Sequence, residues 1–130
     1  MTIKKFLLFI WQLPQHLVGV IVYIALRPYR VNRFNNKKVY WFKGFYTAFS
    51  LGNFIFISYH YEGKNRLEKT LNHEYGHSRQ STILGPFYLL IVALPSIFFN
   101  IISIMNKSFA DNYFNRFPEN WADKLGNVKR

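Results

Sequence analysis

The sequence contains no cysteine. A disulfide scaffold is therefore excluded, while the compartment stays open. Acids are scarce as well: 6 Asp and Glu stand against 17 Lys and Arg, a formal charge of +11 over 130 residues. So basic a chain first suggests nucleic acid. Its aromatic residues, 20% of the total, lie mainly in apolar runs rather than on a basic strand face. An anionic lipid surface is the better match, and no nucleic acid is expected. A clean apolar span is also missing. No uninterrupted apolar core with a small-residue cleavage site, as in a secretory signal peptide, stands out near the amino terminus. The length suits one domain with one core.

Two segments approach membrane length, and both are interrupted. The first, Phe6 to Leu26, carries Gln12, Pro14, Gln15 and His16 in its middle. Lys4 and Lys5 precede it; Arg27, Arg30, Arg33, Lys37 and Lys38 follow. A simple span concentrates its basic residues on one side. Positive flanks at both ends fit an interfacial or re-entrant helix pair broken at Pro14, with His16 a polar residue at the break rather than a ligand. The second segment, Ile83 to Met105, contains Gly85-Pro86 and Leu94-Pro95-Ser96. A break at Pro95 gives two halves of about 15 Å as helix, half of the ~30 Å hydrocarbon core. Such a shallow hairpin would return the chain to its starting side.

Between these segments the composition shifts to aromatic and β-branched residues, punctuated by Gly44 and Gly52. Two or three short strands are expected. Phe54 to His60 is nearly continuous in apolar character, so burial on both faces is open to it. An exposed sheet edge there could hold an extended peptide by main-chain hydrogen bonds.

What the chain does have is Asn72-His73-Glu74-Tyr75-Gly76-His77-Ser78-Arg79-Gln80. On a helix running from near Leu67 to Gln80 or beyond, His73 and His77 lie one turn apart on one face. Two imidazoles so placed can bind one metal ion, and Glu74 is within reach of a water on that ion. Leu67, Leu71 and Tyr75 form a separate apolar row. Gly76, costly inside a helix, fits a close packing contact near the metal. The bland alternative is an exposed helix face that happens to carry two histidines.

Near the carboxyl end stands Arg116-Phe117-Pro118-Glu119-Asn120-Trp121-Ala122-Asp123-Lys124-Leu125-Gly126. Pro118 suits a helix start and Gly126 its end. With both motifs in view, the chain resembles the gluzincin zinc metallopeptidases. The Glu-x-x-Ala-Asp-x-x-Gly form is especially similar to the membrane-bound CAAX-prenyl-protease and heat-shock HtpX group. The resemblance implies that His73, His77 and Glu119 are zinc ligands, Glu74 the general base, and Asp123 a supporting acceptor behind a ligand histidine. It leaves the oxyanion donor open among Tyr113, Asn120 and His60.

The expectation is a single α+β domain over 1–130: an amino-terminal membrane anchor (1–38), a small sheet (39–61), and minimal zincin-like helices with a membrane hairpin (66–130). The expected function is a membrane-associated zinc metallopeptidase. It would hydrolyse peptide or protein substrates at a bilayer surface, in a bacterial inner membrane with the active site toward the cytoplasm. The competing expectation is a non-catalytic small membrane protein whose metal is structural or absent.

Overall fold

The computed structural model describes residues 2–130. Helix α1 (Ile3–Trp11) is capped by Thr2, whose hydroxyl accepts from the Lys5 amide. The chain then turns by 77° into α2 (Leu13–Leu26). Pro14 lies in the first turn of α2, where its missing N–H removes no helical bond. The break expected at Pro14 is therefore present, and its polar neighbours hold it. Gln12 Oε1 accepts from Ser81 Oγ (2.6 Å); Gln15 Nε2 donates to Ser81 Oγ and to the Gly85 carbonyl (both 2.8 Å). Trp11 Nε1 donates to the Thr82 carbonyl (3.0 Å). His16 donates from Nδ1 to the Phe9 carbonyl and stacks on the Phe9 ring. It thus stands beside the break as the polar residue expected there, packed on Phe9.

Four strands follow: β1 (Arg30–Phe34), β2 (Lys37–Phe42), β3 (Ala48–Leu51) and β4 (Phe54–Ser58). Their order is β1-β2-β4-β3, with β2 and β4 parallel and the outer pairs antiparallel. Two-residue turns join β1 to β2 and β3 to β4, with Asn35 and Gly52 at positive φ. The sheet thus begins at Arg30, inside the stretch expected to be anchor alone, and has four strands rather than two or three. The reason is chemical. β1 is a solvent-facing edge whose basic side chains keep it from pairing with other chains, so it shows no apolar alternation. The two central strands are buried on both faces. Val39, Trp41, Ile55 and Ile57 pack under Leu67 and Leu71, while Phe42, Leu51 and Phe56 pack under Val18, Val22 and Leu26. The sheet is sandwiched between α2 and the metal-motif helix.

That helix, α3 (Leu67–Leu84), has the expected extent and stops at Gly85, whose φ is +56°. A short turn (Gly85–Phe87) and one π turn (Leu89–Ala93) lead into α4 (Leu94–Met105). Here the expectation fails: the chain does not fold back at Pro95. Leu89–Met105 is one helix. Pro95 follows a π turn, whose wider i→i+5 bonding absorbs the donor the proline lacks. The fold-back comes at Asn106, which caps the next helix, α5 (Lys107–Asp111), by accepting from the Phe109 amide (3.1 Å). The Phe99 and Phe109 rings meet at 5.6 Å, so α5 lies back along α4. After the turn Tyr113–Asn115 the chain reaches α6 (Glu119–Leu125). Among the described residues, no single helix is long and apolar enough to cross a membrane; α1 and α2 together would be, but for their bend.

Candidate metal centre

Helices α3 and α6 touch backbone to backbone. A Cβ built on Gly76 would lie 1.9 Å from the Ala122 carbonyl oxygen, and one on Gly126 would lie 1.9 Å from that of Asn72. Each helix gives up a side chain so that the other can approach. This contact carries the carboxylates of α6 onto the imidazoles of α3.

Glu119 Oε2 lies 2.8 Å from His73 Nε2 and 2.9 Å from His77 Nε2. Donor atoms from His73, His77 and Glu119 all fall within 4.8 Å of one another, and all three residues are buried. The far side of each ring is also held. His73 Nδ1 donates to Asp123 Oδ1 (2.6 Å) and His77 Nδ1 donates to Gln80 Oε1 (2.7 Å). Gln80 is itself fixed, because its amide donates to the Pro118 carbonyl (3.0 Å). With both Nδ1–H groups spoken for, the two Nε2 atoms face the same carboxylate oxygen.

Two further hydroxyls, Ser96 and Tyr113 (3.0 Å), donate to Glu119 Oε1. Arg130 grips Asp123 through Nε (2.7 Å) and Nη2 (3.0 Å) and lies over the Phe114 ring, which packs edge-on against His73. Glu74 is buried, and its Oε2 has no hydrogen-bond partner.

The residues expected at the site are therefore brought together: His73, Glu74, His77, Glu119 and Asp123. Of the three open oxyanion candidates, Tyr113 alone bonds to the cluster. Asn120 is exposed and bonds Asn115, and His60 stacks against Tyr46 and Tyr59. Sequence reasoning missed Gln80, Ser96 and Arg130. Gln80 was findable, since it lies one turn beyond His77 on the same face. Ser96 and Arg130 reach the site only through the Asn106 fold-back and the chain after α6, which no local pattern announces.

The electrostatics test whether a cation fits. Three carboxylates face one guanidinium here, an excess of two negative charges in a buried site. Burial works against charged imidazoles, but the Asp123 and Glu119 carboxylates override it and raise the His73 pKa to about 9. His77 is likewise raised, burial being outweighed by Glu119. Burial also pushes the Glu74 carboxyl up, against the pull of both imidazoles. Burial opposes ionised Glu119 and Asp123 too, yet their histidine bonds, with Arg130 for Asp123, hold both below the ordinary carboxylate range. Two ring protons or one divalent cation would neutralise the cluster equally well. The donor set of two imidazole nitrogens and one carboxylate oxygen is one that such an ion accepts. A buried His73, His77, Glu119 group able to hold a metal ion is thus present.

Two predictions follow from this balance. Gln80→Ala frees the His77 ring and should weaken metal binding about 10- to 100-fold, read by competition with a chelating dye. The second concerns the metal-free protein. The raised His73 pKa gives stability that is complete below 6.5 and lost as pH rises through about 9. The depressed Glu119 and Asp123 pKa values act oppositely, giving stability lost below the ordinary carboxylate range. Thermal melts without metal should therefore weaken between pH 6.5 and about 9. An added divalent cation that displaces ring protons should restore most at the alkaline end of that window.

No protein-family model, curated protein or solved structure matches the chain.

Proposed function

We propose that this protein is a membrane-associated zinc metallopeptidase. The observation that carries the reading is the convergence of His73 and His77 from α3 with Glu119 from α6, and Glu74 next in sequence with a buried, unpartnered oxygen. His73, His77 and Glu119 would hold the ion, and the N₂O donor set suits zinc. When bound, zinc supplies Lewis-acid polarisation of a scissile carbonyl and of the attacking water.

The rest is done by the chain. Glu74 takes a proton from the attacking water at its free oxygen and passes it to the departing amine nitrogen. A carboxyl raised by burial suits both halves of that transfer near neutral pH. Asp123 and Gln80 hold the rings in the tautomer that leaves Nε2 free. Ser96 and Tyr113 fix the orientation of Glu119. Edge strand β3 packs beside α3 and could align an extended peptide by main-chain hydrogen bonds. The exposed apolar helices and the +11 charge support a bilayer as the working surface. The Lys and Arg flanks favour the cytoplasmic side, and the bilayer proposed is a bacterial inner membrane.

One observation favours a second reading, a non-catalytic membrane protein with a structural metal. His73, Glu74 and His77 are each only 5% exposed, and Glu119 1%. Burial of this degree leaves a substrate little approach to the ion, an approach that a structural metal does not need. Metal content and activity measured together separate the two. Purified protein should carry about one zinc per chain, Glu119→Ala should carry little, and a chelator should stop peptide hydrolysis reversibly. Stoichiometric zinc without hydrolysis of any peptide library would leave the structural reading standing. Zinc content equal in wild type and Glu119→Ala would sink both.

A further inference from the structure

We infer that the protein seats in one leaflet of an anionic bilayer, with α1–α2 and the Leu89–Met105 helix lying along the surface rather than crossing it. This rests on the membrane-associated half of the reading above and not on the metal. Both elements are unusually bare: Phe6, Ile10, Ile21, Ile24, Ile97 and Ile104 are each exposed, Ile104 at 82%. They are also neighbours. The break between α1 and α2 is pinned to the end of α3, where Trp11 lies against Gly85, the residue that leads into the second apolar helix.

Three features set the orientation. The first is the bend. Straightened, α1 and α2 would reach roughly 35 Å, enough for a ~30 Å core. Straightening would break the bonds from Trp11, Gln12 and Gln15 to Ser81, Thr82 and Gly85. The second is the returning segment. Lys107, Asp111, Asn112 and Asn115 lie on the stretch that folds back along α4 toward Glu119, and all are exposed. A hairpin plunged into hydrocarbon would take these groups with it, which is prohibitive. Laid in the surface plane, α4 can bury its apolar side while α5 stays in water. The third is charge. Lys4, Lys5, Arg27 and Lys107 flank the apolar elements and are exposed. Of the six acids, three are buried at the metal centre and Glu62 is paired with Arg30, so the surface has little to offset its cations. An apolar face ringed by uncompensated cations matches anionic lipid better than a protein groove.

The test exploits the absence of native cysteine. Single cysteines replace Lys4, Arg33 and Ser108, all exposed, and each protein is added to sealed vesicles of phosphatidylglycerol and phosphatidylcholine in equal parts. A membrane-impermeant maleimide should label all three positions without detergent. Binding should fall about tenfold on phosphatidylcholine alone and in high salt, and comparably for Phe98→Glu with Ile101→Glu, whose zinc content should match the wild type. Protection of position 108 until detergent is added, or of position 33 while position 4 reacts, would mean insertion or crossing. Either would overturn the seat while leaving membrane association intact. A soluble dimer that ignores vesicles would overturn both in favour of a protein partner, and the zinc measurement would still judge the metal centre separately.

Discussion

Gly76→Ala is expected to abolish high-affinity metal binding while leaving most of the fold in place. The new methyl would sit 1.9 Å from the Ala122 carbonyl oxygen and 2.7 Å from its carbon. These are backbone atoms, so no side chain can swing away. Helix α6 must retreat by more than about 1 Å to restore ordinary contact, and Glu119 leaves the two rings with it. Two stability effects oppose each other. Alanine favours the helix over glycine by about 1 kcal/mol, and overpacking costs about 1–3 kcal/mol. The net loss for the metal-free protein is therefore modest. Zinc affinity should fall far more, by about 100-fold or beyond, because coordination depends steeply on where the third ligand stands. Titration against a chelator, beside melts with and without zinc, reads both quantities. Gly63→Asn is the control: its φ is +71° and a Cβ there meets nothing within 4 Å, and asparagine tolerates that backbone. A Gly76→Ala protein that binds zinc like the wild type would remove the close helix contact as the builder of the site.

The same contact explains what could be read in the sequence and what could not. The site was legible because its chemistry is local to two short stretches. Four-residue spacing sets His73 over His77, and Glu119 over Asp123, whatever surrounds them. Gly76 was legible as a close-packing residue because a helix carries an interior glycine only at a cost. The central strands were legible because burial on both faces demands apolar runs. Edge strand β1 was not, since an exposed edge has no need of alternation and its Arg30 and Arg33 look like a membrane flank. The fold-back was misplaced for a different reason. Proline at position 95 breaks an α-helix but can be absorbed by a π turn, whereas Asn106 ends one helix and caps another with its own side chain. Asparagine is a common N-cap, but it opens a helix only where the chain before it has ended one, so position 106 alone does not announce the turn.

Glu74→Gln is expected to remove hydrolysis almost entirely while leaving zinc content and fold untouched. The amide has the carboxylate's shape, so the buried space stays filled. It cannot accept a proton from water and return it to an amine. Losing general acid–base assistance costs about 10²- to 10⁴-fold, or ~3–5 kcal/mol of barrier. Stability should move the other way. Burial holds the Glu74 carboxyl above its ordinary pKa, with the two imidazoles only partly relieving it. A group whose folded pKa is raised contributes stability at low pH that disappears as pH rises. At neutral pH the ionised side chain is therefore a burden, and its Oε2 lies buried with no partner. The neutral amide lifts that burden, so the metal-free variant should melt no lower than the wild type, with its advantage growing toward alkaline pH. Unchanged hydrolysis in Glu74→Gln would mean that any peptidase activity arises elsewhere. A variant that loses zinc together with activity would make Glu74 a support of the metal rather than the base.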